Sequence, residues 1–140
     1  MLLVGYMTPT GYQYPPPESG PQGVAHVNVD PPRSILHFEV QFTDVRTPLN
    51  KKRFYVVAGD KIIGGRDLPP PTDGTITDDW PAPSQVVQSI VANPSNAIVY
   101  VEAPPSTLPR EYLPGGVVLN SGSPWARLQP PPPSDVDANL

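Results

Sequence analysis

A chain of 140 residues has room for one compact core, and at roughly 100–200 residues per domain a second is not expected. It carries 23 prolines, about three times the usual share of roughly 5%, yet 38% of its residues are hydrophobic, so the composition predicts a folded centre with extended ends. The net charge of −4, with no basic run beyond Lys51-Lys52-Arg53, argues against nucleic acid as a partner, and the absence of cysteine excludes disulfides, thiolate metal sites and Cys nucleophiles.

Residues 1–23 open on Met1-Leu2-Leu3-Val4-Gly5-Tyr6-Met7, which lacks the basic leader and apolar length of a signal peptide, so the chain is expected to stay in the cytoplasm or in whatever assembles there. No apolar stretch approaches the roughly 18 residues of a membrane helix, and no membrane partner is expected. The segment goes on through Tyr12, Tyr14 and Pro15-Pro16-Pro17 with neither strand nor helix periodicity, and reads as an extended arm. At about 3.1 Å per residue, a straight polyproline arm would reach on the order of 60–70 Å.

The core is expected over 24–121. Val24-Ala25-His26-Val27-Asn28-Val29 alternates up to the Asp30-Pro31-Pro32 break, and Leu36, Phe38, Val40 and Phe42 alternate with His37, Glu39 and Gln41, each the pattern of a half-buried strand. A hairpin follows, from Arg53 to Ala58, through Gly59-Asp60, into Lys61-Ile62-Ile63, with Gly64-Gly65 ending the second strand early. Residues 67–83 read as a loop. Pro83-Ser84 opens a helix near 84–93, with Val86, Val87, Ile90 and Val91 on one face and Asn93-Pro94 as its stop. Strands are expected from Asn96 to Glu102 and from Gly116 to Asn120. Residues 122–140, with Trp125, Leu128 and the run Pro130-Pro131-Pro132-Pro133, read as a second arm. The predicted fold class is mainly β, a small barrel or sandwich with one short helix, flanked by extended proline-rich arms.

Little in the chain points to catalysis. His26 and His37 fall in strands without Asp or Glu at ligand spacing, and read as polar residues on the wet face of a sheet. The stretch Asp73-Gly74-Thr75-Ile76-Thr77-Asp78-Asp79 offers oxygens at alternate positions, but it lacks the sixth-position glycine and distal glutamate of a calcium loop. Ser84, Ser89 and Ser106 have no nucleophile-elbow context, and neither glycine doublet forms a phosphate cradle. No enzyme, metal or cofactor is therefore expected. Large rings set among Pro and Gly are typical interface anchors, which makes Tyr6, Tyr12, Tyr14, Pro15, Pro16, Trp125, Leu128 and Pro131 the candidate partner-binding residues, with Trp80 divided between partner and self-contact.

A small cysteine-free β domain between a leading arm, Val4 through Tyr14 to Pro17, and a trailing arm, Leu128-Gln129 and Pro130 to Pro133, resembles a tailed-bacteriophage capsid decoration (cement) protein, here of a virus with a hot-growing host. That resemblance implies a structural virion protein on the capsid exterior, assembled in the host cytoplasm. It implies the major capsid protein and neighbouring copies as partners, commonly in a homotrimer, with arms that clamp adjacent capsomers. Two other readings stand beside it. One is an adaptor whose proline runs fill SH3-type or WW-type grooves; the other is a small carbohydrate-binding β module using Trp80, Tyr100 and the Asp78-Asp79 loop.

Overall fold

The computed structural model describes residues 1–9, 22–42, 51–102, 110–120 and 123–131. In chain order these form β1 (Leu2–Met7), β2 (Gly23–Asp30), β3 (Ile35–Phe42), β4 (Lys51–Ala58), β5 (Lys61–Asp67), β6 (Thr75–Pro81), α1 (Ser84–Ala92), β7 (Ala97–Glu102), β8 (Arg110–Tyr112), β9 (Val118–Asn120) and β10 (Trp125–Arg127). Two four-stranded antiparallel sheets, β1-β2-β3-β6 and β10-β7-β4-β5, pack face to face as a sandwich, with β8-β9 as a separate ribbon. The fold is mainly β, with one α-helix among the described residues, as the alternating segments predict.

Period-two alternation decides which residues meet between the sheets. Ala25, Val27 and Val29 of β2, Leu36, Phe38 and Val40 of β3, Phe54 and Val56 of β4, and Ala97, Val99 and Val101 of β7 are buried in one core. Phe38 meets Phe54 edge to face, with ring centroids 4.9 Å apart. Helix α1 adds Val86, Val87 and Ile90 to this core, but Val91 is turned out and 49% exposed, contrary to its expected place on the apolar face. The helix stops where Asn93 turns extended, its side chain accepting from the Ser95 amide at 3.2 Å.

Residues 1–9 and 123–131 belong to the sandwich, which corrects the reading of those parts of 1–23 and 122–140 as arms; 10–21 and 132–140 lie outside the described residues. Strand β1 pairs along β2 from Leu2↔Asn28 to Met7↔Gly23 and buries Leu3, Val4 and Met7. On its other side Val4 exchanges backbone bonds with Gln129 (2.8 and 3.1 Å), and Thr8 does so with Trp125 (3.1 and 3.0 Å), so β1 and β10 tie the sheets together along one side. Gly5 makes this approach possible, because a Cβ there would lie 2.6 Å from Leu128 Cδ2 and 2.9 Å from the Ala126 Cβ. Its lack of a side chain leaves room for Leu128, which is fully buried.

The opposite side ends in the free edges of β5 and β6, so the sandwich is not a closed barrel. Arg66 of β5 bridges it, donating from Nε and a terminal nitrogen to the two carboxylate oxygens of Asp78 on β6 at 2.6 and 3.1 Å.

Two segments expected to be irregular are strand. Residues 67–83 contain β6, launched by the two-residue turn Asp73-Gly74, whose φ angles of 53° and 77° are both positive, as a type I′ hairpin requires. The glycine doublet does not end β5: Gly64 lies against Val86 of α1, Gly65 lies under the Tyr55 ring, and the strand runs on to Asp67. Strand β8 is three residues long, too short to show a period in the sequence. The ribbon β8-β9 covers the outer face of the second sheet with Leu113, Val117 and Leu119, making a second small core with Val57, Ile98 and Tyr100.

Candidate partner interface

Strand register fixes where the long connections leave the sandwich. Met7↔Gly23, Gly23↔Phe42 and Gln41↔Thr75 align the end of β1, the start of β2, the end of β3 and the start of β6. Lys51↔Glu102, Arg53↔Asp67 and Tyr100↔Trp125 do the same in the second sheet, and Thr8↔Trp125 brings the two sets together. The connections 10–21, 43–50, 103–109 and 121–122 therefore all depart from one end. Tyr12, Tyr14, Pro15 and Pro16 lie in 10–21, outside the described residues. The points that flank them are fixed, since the Gln22 amide donates to the Met7 carbonyl at 2.9 Å. The proline-rich segment is thus a connection between paired strands, not a terminal arm.

The same end carries an ordered aromatic and charged row. Trp125, Tyr100, Arg53 and Asp67 stand side by side across the outer face of β10, β7, β4 and β5. Tyr55 and Tyr100 stack at 5.6 Å with rings 17° apart, and an Arg53 terminal nitrogen donates to the Tyr55 hydroxyl at 3.3 Å. Arg53 Nε lies 3.2 Å from Glu102 Oε2 and 3.3 Å from Asp67 Oδ1. Neither contact is aligned as a hydrogen bond for Nε, so they act as charge contacts. Burial works against the Arg53 charge, but the Tyr55 hydroxyl and the two carboxylates outweigh it and hold the guanidinium above its ordinary value. Burial, and then the Tyr55 hydroxyl, push the Tyr100 phenol upward. The row is an aromatic and charged platform in which Arg53 meets two carboxylates.

The other predicted site residues are scattered. Trp125 is half-buried in the row just described. Tyr6 is half-buried on the outer face of the first sheet, opposite Val24. Leu128 is fully buried in the chain's own core, so a partner cannot use it as an anchor while the sandwich is intact. Pro131 lies beyond Gln129, and since Gln129 pairs with Val4, Pro130 and Pro131 stand toward the end opposite Thr8 and Trp125. Trp80 packs edge to face on Phe54 at 6.0 Å and is half-buried, largely a self-contact.

The alternation of β6 separates the acidic candidates for an ion. Asp78 points inward to Arg66, whereas Asp79 points outward, where His37 Nδ1 donates to its Oδ1 at 2.5 Å. Among the described residues no three His, Asp or Glu side chains converge. Sequence reasoning overlooked Arg53, Tyr55, Asp67 and Glu102, because only cross-strand register shows that they share a face with Tyr100 and Trp125. No helix among the described residues is long and apolar enough to cross a membrane. No family model, curated protein or solved structure matches the chain.

Proposed function

We propose that this chain is a structural, non-enzymatic binding protein that holds neighbouring protein subunits through the end of the sandwich from which its long connections depart. The observation that carries the reading is that the strand ends bordering 10–21, 43–50 and 103–109 lie together at that end, beside the platform of Trp125, Tyr100 and Arg53. Long connections grouped at one end of a rigid sandwich are the usual place for recognition, and proline lowers the entropy lost on docking. In its finer form the reading is the capsid decoration protein that the sequence resembles, seated on the virion exterior against the major capsid protein and copies of itself. With β1 and β10 in the sandwich, this reading assigns the grip on subunits to the segment that carries Tyr12, Tyr14, Pro15 and Pro16.

The test is to replace 10–21 with an Asn-Gly link, which a β1–β2 hairpin accepts. The variant is expected to melt within a few degrees of the parent but to lose co-sedimentation with capsid shells and any self-association seen by analytical ultracentrifugation. Undiminished binding by the shortened protein would defeat the reading.

A further inference from the structure

The free edge of β5, which starts from Asp67 at the loop-bearing end, carries a second recognition element. Its hydrogen-bonding direction follows from one bond: the Leu68 amide donates to the Lys52 carbonyl at 2.8 Å, so Lys52 faces β5. In an antiparallel ladder alternate residues point the same way. Phe54 and Val56 therefore also face β5, and their partners Arg66 and Gly64 use their own backbone groups on β4. The far side of β4 agrees. The Val101 amide donates to Pro124, away from β4, which leaves Tyr100 and Glu102 to face it. The amides and carbonyls of Gly65 and Asp67 consequently point outward, and no other strand covers them among the described residues.

An open cleft of about 460 Å³ runs along this edge, lined by Tyr55, Gly65, Arg66, Asp67 and Trp80. Tyr55 stands on the outer-face side and Trp80 on the inner-face side, so a strand laid here would place alternate side chains against each ring. The charges are uneven: Arg53 and Arg66 are set against Asp67, Asp78 and Glu102, and the Asp67 side chain is 73% exposed. The edge is also short. The bulge between Val56 and Val57 interrupts it on one side, and Pro69 has no amide on the other, so it offers four backbone groups and cannot propagate a ladder.

We propose that the β5 edge receives a short extended segment of a partner protein, bound by main-chain hydrogen bonds to Gly65 and Asp67, with a lysine or arginine against the Asp67 carboxylate and neighbouring side chains on Tyr55 and Trp80.

The first check is amide hydrogen exchange in the free full chain. Gly65 and Asp67 amides are expected to exchange at least a hundredfold faster than that of Arg66; equal protection would mean that the edge is already covered and would overturn the proposal. The second is titration of the full chain with an acetylated pentapeptide of alternating threonine and valine with a central lysine, followed by amide chemical shifts. Saturable shifts centred on Gly65 and Asp67 are expected. They should vanish when the probe's amides are N-methylated and weaken at least fivefold when glutamate replaces its lysine. Asp67→Lys should reverse the lysine-to-glutamate preference, and Glu102 remains to Arg53 in that variant. No shift, shifts that spare Gly65 and Asp67, equal binding by the N-methylated probe, or binding of maltotetraose in place of the peptide would each overturn it.

Discussion

Lys52 projects inward from β4, is 2% exposed, and holds its ammonium 5.5 Å from the centre of the Phe42 ring. A cation over an aromatic face recovers part of the lost hydration, but burial still pushes its pKa down to about 8. Below that value both folded and unfolded chains carry the proton, and the folded state bears the whole penalty. Between about 8 and the ordinary 10.5 only the unfolded chain keeps it, so stability rises with pH across that window. Urea denaturation at pH 7 and pH 10 is expected to show a gain of about 2 kcal/mol from this residue. Lys52→Met should remove that share of the rise and leave the protein more stable at pH 7. Gly5 sets a steric limit of similar size. Gly5→Ala should cost about 1–3 kcal/mol by crowding Leu128 and Ala126, whereas Leu128→Ala should cost about 2–5 kcal/mol through the cavity it leaves. Both are read from urea midpoints.

Between the sheets the Arg66–Asp78 pair carries the open side. Hydrogen bonding to Asp78 raises the Arg66 guanidinium above its ordinary value. Asp78→Ala removes both bonds and leaves a half-buried cation, so a loss of about 1–3 kcal/mol is expected in thermal unfolding, with Asp78→Asn nearer the low end. The elements themselves were unevenly readable from sequence. β3 and α1 announce themselves, because one face of each is apolar and the other wet. β1 does not, since Leu2 to Met7 is buried largely on both faces and shows no alternation. β10 is three residues long, too short for a period. β6 hides its inward Asp78 behind an ion pair, although Asp73-Gly74 is a strong hairpin signal that a reading of the acidic stretch as loop passed over. Gly64-Gly65 looked like punctuation because the close approach of Val86 and the Tyr55 ring, which makes glycine necessary there, comes from residues distant in sequence. The candidate interface is legible in part: Trp125 stands out in the sequence, but its place beside Tyr100 and Arg53 depends on pairings that one sequence does not display.

At the scale of the whole molecule, the pairing of β1 with β10 makes residues 1–9 and 123–131 part of the core. Removing either segment is expected to abolish cooperative unfolding in calorimetry, whereas ending the chain after Pro131 should leave the melting transition in place. The experiment separates two roles that composition alone merged: proline-rich sequence that builds the sandwich and proline-rich sequence that leaves it. The same pairing governs the order in which the protein can mature. As the polypeptide emerges from the ribosome, its first strand finds β2 within two dozen residues, but the outer flank of that strand must wait for Trp125 to Gln129. Contacts between such distant parts of a chain form late and slowly. Until Trp125 to Gln129 have been made and have paired, the newborn protein therefore displays an apolar, unzipped border.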